Sequence, residues 1–149
     1  MKLEELEKKL VETYNKHNLD FEELDNEFEI IDAFYSRKIT GYFLRNTRRR
    51  IIEVLYSYIN YLHNFVAPNP QSVILMQEAE FFSDEEKDEI DAVMKKIMLV
   101  NRMSIRLDLE PDEENDAEFI KQSLDEWKKL KPKIVEITNK LIENWKKNK

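Results

Sequence analysis

Six positive charges stand between Arg37 and Arg50 with no acid among them: Arg37, Lys38, Arg45, Arg48, Arg49 and Arg50. The chain as a whole has a net charge of −7, so this basic block is a local field set against the global one. A field of that sign is a place for an anion to dock, whether nucleic acid, a phosphate or an acidic protein surface. These six residues are the candidate docking site. Within the block, Arg45, Arg48 and Arg49 share one side of a helix at i, i+3 and i+4. A helical wheel sets Arg48 inside the apolar stripe of that helix, where a surface arginine has no reason to be. One reading is that Arg48 pairs with a carboxylate of the second or fourth helix and lends its stem to the core. The other readings are a nucleic-acid footprint, with Tyr42 and Phe43 nearby as stacking rings, and a protein dock.

Other chemistry finds little support. The chain has no cysteine, which excludes disulfides, thiol nucleophiles and cysteine metal sites. His17 and His63 are the only histidines. Neither has a second histidine at i+3 or i+4, so both read as structural and no metal ligand set is expected. Arg45 and His63 lie about 27 Å apart along a helix, too far for the compact Arg-x4–6-His spacing of helical ribonucleases. Glu85, Asp88 and Glu89 could face a magnesium ion only with matching acids on a second helix, which the pattern does not supply. Ser57, Ser72 and Ser83 lack an adjacent base. The expectation is no catalytic residue, no cofactor and no metal.

The elements that hold these residues are helices. The 149 residues include a single glycine, Gly41, far too few for hairpins or a phosphate-cradling loop. Apolar residues make up 42% and charged residues 37%, which fits one folded domain and neither a disordered chain nor a membrane protein. Leu3, Leu6, Leu10 and Tyr14 outline a first helix over roughly 2–17. Asp20 and Glu23 form a capping box for a second, carrying Phe21, Leu24, Phe28, Ile31 and Phe34 to about Arg37. The third runs from about 42 to 66, with Ile51, Leu55, Tyr58, Leu62 and Phe65 expected at the centre of the core, and Pro68 and Pro70 stop it. Ser72–Phe82 reads as a short buried helix or an extended connector. Ser83 and Glu86 cap a fourth helix through Ile105. An acidic connector over 106–116 leads to a fifth that Pro132 should kink or restart. The fold expected is all-α, a bundle of five or six mainly antiparallel helices in one domain, with a main bundle over 1–105 and C-terminal helices over 112–149.

Charge is sorted along the chain. Residues 78–91 hold eight acids and one lysine, residues 108–118 seven acids and no base, and residues 128–149 eight lysines and two acids. Such blocks are either solvated helix faces or docking surfaces for different partners. No apolar run approaches the ~18 residues that span a bilayer. Met1-Lys2-Leu3-Glu4 opens into a charged helix with no secretory pattern. A cytoplasmic protein with no membrane partner is expected.

The order of elements resembles the helical domain of archaeal GINS subunits, non-enzymatic scaffolds of the replicative helicase. The stretch LDNEFEIIDAF is similar to that family's "LD-x-EF" segment through Leu24, Asp25, Glu27 and Phe28. NTRRRIIEVLYSYINYL is similar to its N-x-x-R-x-I helix, and FFSDEEKDEIDAVMKKI to its capped helix through Ser83, Glu85, Glu86 and Lys87. The resemblance covers residues 2–105. Tyr58 and Tyr61 stand where the family carries basic residues, and its small β-domain has no counterpart. What the resemblance implies is a scaffold subunit of a nucleic-acid-processing complex. The sequence thus points to a non-catalytic interaction subunit with a protein partner or a second copy of itself. The alternatives are a nucleic-acid-binding helical protein using Arg45–Arg50, and a helical ribonuclease or nucleotide hydrolase.

Overall fold

The computed structural model describes residues 1–147 and is built from seven helices, with no strand among the described residues. They are α1 (Leu3–Lys16), α2 (Phe21–Phe28), α3 (Ile30–Ser36), α4 (Phe43–Val66), α5 (Val73–Glu80), α6 (Asp84–Leu109) and α7 (Glu113–Lys147). The all-α class is as the sequence predicts. The count is higher than the five or six expected, for two local reasons.

The first is a break at Glu29. Asp20 caps α2 as its sequence signature requires, accepting from the Glu23 N–H at 3.3 Å. Asp25 then ends the helix four residues on. Its carbonyl accepts from Glu29 N–H at 2.8 Å and its carboxylate from Ile31 N–H at 2.9 Å. Glu29 is left in the left-handed region, with φ 51°. The single second helix expected is therefore two, divided where one side chain competes for backbone donors. The second reason is α5. Ser72 caps it, accepting from Leu75 N–H at 3.2 Å, so the ambiguous segment is helical. It is not buried: Val73 is 81% and Ile74 62% exposed.

The later boundaries follow their caps. Ser83 and Glu86 exchange both capping hydrogen bonds, at 3.2 and 2.9 Å, and start α6 where the signature sets it. α6 then runs on to Leu109, so most of the expected acidic connector is helix and only a short turn around Pro111 remains. α7 is continuous through Pro132, so of the kink or restart expected from the sequence the restart does not occur. Proline inside a helix costs roughly 3 kcal/mol. Trp127, Leu130, Ile134 and Leu141 are all buried on either side of it, and that burial outweighs the lost hydrogen bond.

The contacts divide the chain into two units. The first comprises Met1–Val54 and Asn101–Asp125. Its core is Leu6, Leu10, Tyr14, Leu24, Phe28, Ile30, Phe34, Leu44, Ile51, Phe119 and Ile120. The second comprises Leu55–Val100 and the described residues from Glu126 onward. Leu55, Leu62, Phe65, Phe82, Ile90, Val93, Ile97, Trp127 and Ile134 are buried there. α4, α6 and α7 supply residues to both. Of the five α4 residues expected at the core centre, Ile51, Leu55, Leu62 and Phe65 are buried. Tyr58 is only half-buried, its ring 5.6 Å from that of Trp127.

Four turn positions sit in the left-handed region: Asn18, Glu29, Lys38 and Tyr42, and none of them is glycine. Gly41 does not take such a conformation, and a methyl group at that position would meet nothing within 4 Å. Gly41→Ala is therefore expected to be neutral or to stabilise by up to about 1 kcal/mol, by narrowing the unfolded ensemble. Leu55→Ala, in contrast, should cost about 2–5 kcal/mol. Denaturant melts of the two variants check both expectations. A loss above 1 kcal/mol for the first, or below 1 for the second, would contradict them.

Candidate functional site

Arg48 is the most enclosed charged group of the chain, with no solvent exposure. Every polar atom of its guanidinium has a partner within the first unit. Nε donates to Asp116 Oδ1 at 2.8 Å on α7. Nη1 donates to the Ser104 carbonyl at 2.8 Å and to its Oγ at 2.6 Å on α6. Nη2 donates to Asp108 Oδ1 at 2.7 Å. Asp116 is 5% exposed and Asp108 36%. The sequence wheel puts Arg48 inward, and there it is. Its partners come from α6 and α7, and none from the second helix. The fork of the guanidinium suits this task because five donors lie in one plane and reach four acceptor oxygens at once. Beside it, the buried Tyr14 hydroxyl meets Thr47 Oγ1 at 2.5 Å. Burial pushes the Tyr14 phenol well above its ordinary range, so it stays protonated.

The remaining cations of the block are mostly turned toward carboxylates of the same unit. Arg37 grips Glu53 with two hydrogen bonds, at 2.8 and 2.6 Å. Arg50 also reaches Glu53, at 2.8 Å, donates to the Phe28 carbonyl at 2.8 Å, and has Glu29 at 3.6 Å. Arg49 donates to Asp108 at 3.1 Å. The Arg37 hydrogen bond holds Glu53 below the usual carboxylate range, more strongly than burial raises it. Asp108 is pushed up by burial, yet the hydrogen bonds and charges of Arg48 and Arg49 prevail and its pKa is lowered.

Arg45 and Lys38 are different. The Arg45 guanidinium lies 4.8 Å from the ring centroid of Tyr42. Its Nε is buried with no hydrogen-bond partner among the described residues. Lys38 is exposed, and no ion pair involves it among the described residues. The block therefore divides into four arginines held by carboxylates and two cations that are not. His17 and His63 stand on separate helix ends. No cluster of three or more His, Cys, Asp or Glu suited to a metal ion is found among the described residues.

In the second unit the charged blocks are also partly paired. Lys140 bonds Glu86 and lies over the Phe82 ring. That bond, followed by the Ser83 N–H, lowers the Glu86 pKa. Trp145 Nε1 donates to Glu78 at 2.9 Å and its ring meets Phe81 edge-on at 5.4 Å. This pins the C-terminal end of α5. The N-terminal end presents Val73, Ile74 and Met76 outward. Glu80, Asp84, Glu85, Asp88 and Glu89 remain exposed beyond it.

Sequence reasoning missed Ser104, Asp108, Asp116 and Glu53. Asp108 and Asp116 fall in an acidic run that reads as a solvated connector. A signal was present: Asp116 is four residues before Ile120 on the stripe that continues to Trp127, and Ser104 continues the Ile97 and Val100 stripe. Comparison with protein-family models, with curated proteins and with solved structures finds no match to this chain.

Arg48→Met should destabilise by about 3–5 kcal/mol, because it strands a buried Asp116 carboxylate. Adding Asp116→Leu should restore much of that loss, and a double variant no more stable than the single would show that the network acts in another way. Acid should reveal the same network. The folded pKa values of Asp108 and Glu53 lie below their ordinary ones, so their contribution is complete above about pH 5 and is lost as pH falls through the folded values. Melting temperature should drop through that window, and Asp108→Asn should make the drop shallower.

Proposed function

We propose that this chain is a non-catalytic interaction module that holds a protein partner on the exposed face of α5. One observation carries the reading. Val73, Ile74 and Met76 are exposed on a helix whose other end is fastened by Trp145 and Phe81. An apolar face offered to solvent on a fixed element is the mark of a protein–protein contact. The exposed acids from Glu80 to Glu89 give its chemistry. The complementary partner has an apolar patch flanked by basic side chains. The arginine block adds to this reading in a negative way, since four of its six cations already hold carboxylates of the same unit and serve folding. The resemblance of residues 2–105 to GINS helical domains suggests that the module works within a nucleic-acid-processing assembly.

A nucleic-acid contact is the second reading, favoured by the uncompensated Arg45 beside the exposed Tyr42.

Affinity capture from the native source, with nuclease added, separates the readings. Val73→Glu with Ile74→Glu should lose the captured protein while the thermal melt stays within about 4 °C, since each surface substitution rarely shifts stability by more than ~0.5 kcal/mol. Capture that survives the double substitution would place the contact elsewhere. Capture that vanishes with nuclease in the unsubstituted protein would favour nucleic acid.

A further inference from the structure

The turn between α3 and α4 is built against its own local preferences. Lys38 and Tyr42 both take left-handed backbone, with φ 57° and 49°. A bulky aromatic residue is rarely found there, because its Cβ crowds the following carbonyl. The chain's single glycine is one position earlier and does not use its freedom. The Tyr42 ring gains no burial in return, being 76% exposed. Among the described residues the ring's partner is the Arg45 guanidinium, 4.8 Å from the centroid. Arg45 has none of the carboxylate contacts that hold Arg37, Arg48, Arg49 and Arg50, and its buried Nε lacks an acceptor among the described residues. A strained, exposed ring stacked on an uncompensated cation contributes little to folding. It is well suited to a ligand that has both a flat face and a negative charge.

We infer that Tyr42 and Arg45 form a stacking subsite for one base of a single-stranded nucleic acid, with the adjoining phosphate facing Arg45 and Lys38. The chemistry selects this ligand among anions. The guanidinium stacks on Tyr42 and leaves ring surface open, and a base offers a π-face to it whatever its identity. A duplex hides those faces within its stack, so a single strand is required. A carboxylate peptide would meet the cations and leave the ring unused. The first turn of α4 carries no acid to repel a phosphate. The surrounding negative charge keeps the contact local: one base and one or two phosphates, not a long track. This site goes beyond the α5 contact and is independent of it.

Fluorescence anisotropy of a labelled ten-nucleotide oligouridylate, titrated with the full chain at 50 mM salt, tests the inference. Binding is expected, and its logarithmic salt slope should be on the order of −1.4 for two phosphates on a single strand. Tyr42→Ala should weaken it about five-fold or more, the scale of one base–aromatic stack. Tyr42→Phe keeps the ring and should keep the affinity. Arg45→Gln should weaken binding and reduce the slope by about 0.7. Tyr42→Gly relieves the backbone, so it should lose binding with an unchanged or higher melting temperature. That pair of readouts sets a ligand role apart from a structural one. No binding at 50 mM salt, equal affinity for Tyr42→Ala and the unsubstituted chain, or full competition by a polyglutamate peptide would each overturn the inference.

Discussion

A guanidinium with no access to water requires its compensation to be supplied by the fold. The charge of Arg48 must be answered where it lies. Asp116, Asp108 and two oxygens of Ser104 answer it, and they reach it from two other helices. The geometry is demanding because desolvation of such a group costs several kcal/mol, and only a full set of short bonds offsets it. That requirement fixes the rotation of α4 relative to the first-unit segments of α6 and α7. A rotation of either by one residue would move Asp116 or Ser104 about 100° around its axis. Apolar packing of Ile51, Phe119 and Ile120 is tolerant by comparison.

Much of the helical frame was legible because its signals are local. Asp20 with Glu23, and Ser83 with Glu86, mark starts that depend only on neighbouring residues, and both caps form. Pro68 and Pro70 end α4 for equally local reasons. The failures have a different origin. The break at Glu29 depends on Asp25 taking a backbone donor six residues away, an outcome that periodicity cannot register. Apolar residues in α5 suggested burial, yet no element covers Val73 or Ile74 among the described residues. Pro132 argued for a restart, and the buried stripe on both its flanks carried the helix through. At the candidate site the wheel position of Arg48 disclosed burial without disclosing partners. Asp116 looked like one more acid in a solvated run, though its spacing to Ile120 and Trp127 assigned it to the apolar side.

The arginine block shows why charge density along a sequence is a weak guide to a binding surface. Six cations in fourteen residues suggest one continuous anion dock. Folding divides them by task. Arg48 becomes a core group, Arg37 and Arg50 converge on Glu53, and Arg49 shares Asp108 with Arg48. What is left is a much smaller feature, an arginine against a tyrosine in a strained turn. The surface with the clearest character lies in the other unit, where α5 leaves Val73 and Ile74 exposed and a run of exposed acids begins at Glu80. Each of the two features would take a different class of ligand.

The separation of Arg48 from its partners along the chain bears on how the protein is born. Asp116 follows Arg48 by 68 residues. A ribosome adding roughly 5–20 residues per second needs about 3–14 s to cover that distance. The emergence of Asp116 from the exit tunnel lags that of Arg48 by the same interval, and over it the cation has no Asp116 to meet. The first unit is also discontinuous, needing Asn101–Asp125 to be complete. Completion of the first unit is thereby deferred until Asn101–Asp125 has been made, although α1, α2 and α3 can already contact one another. Timing, here, is written into the sequence distance between one arginine and one aspartate.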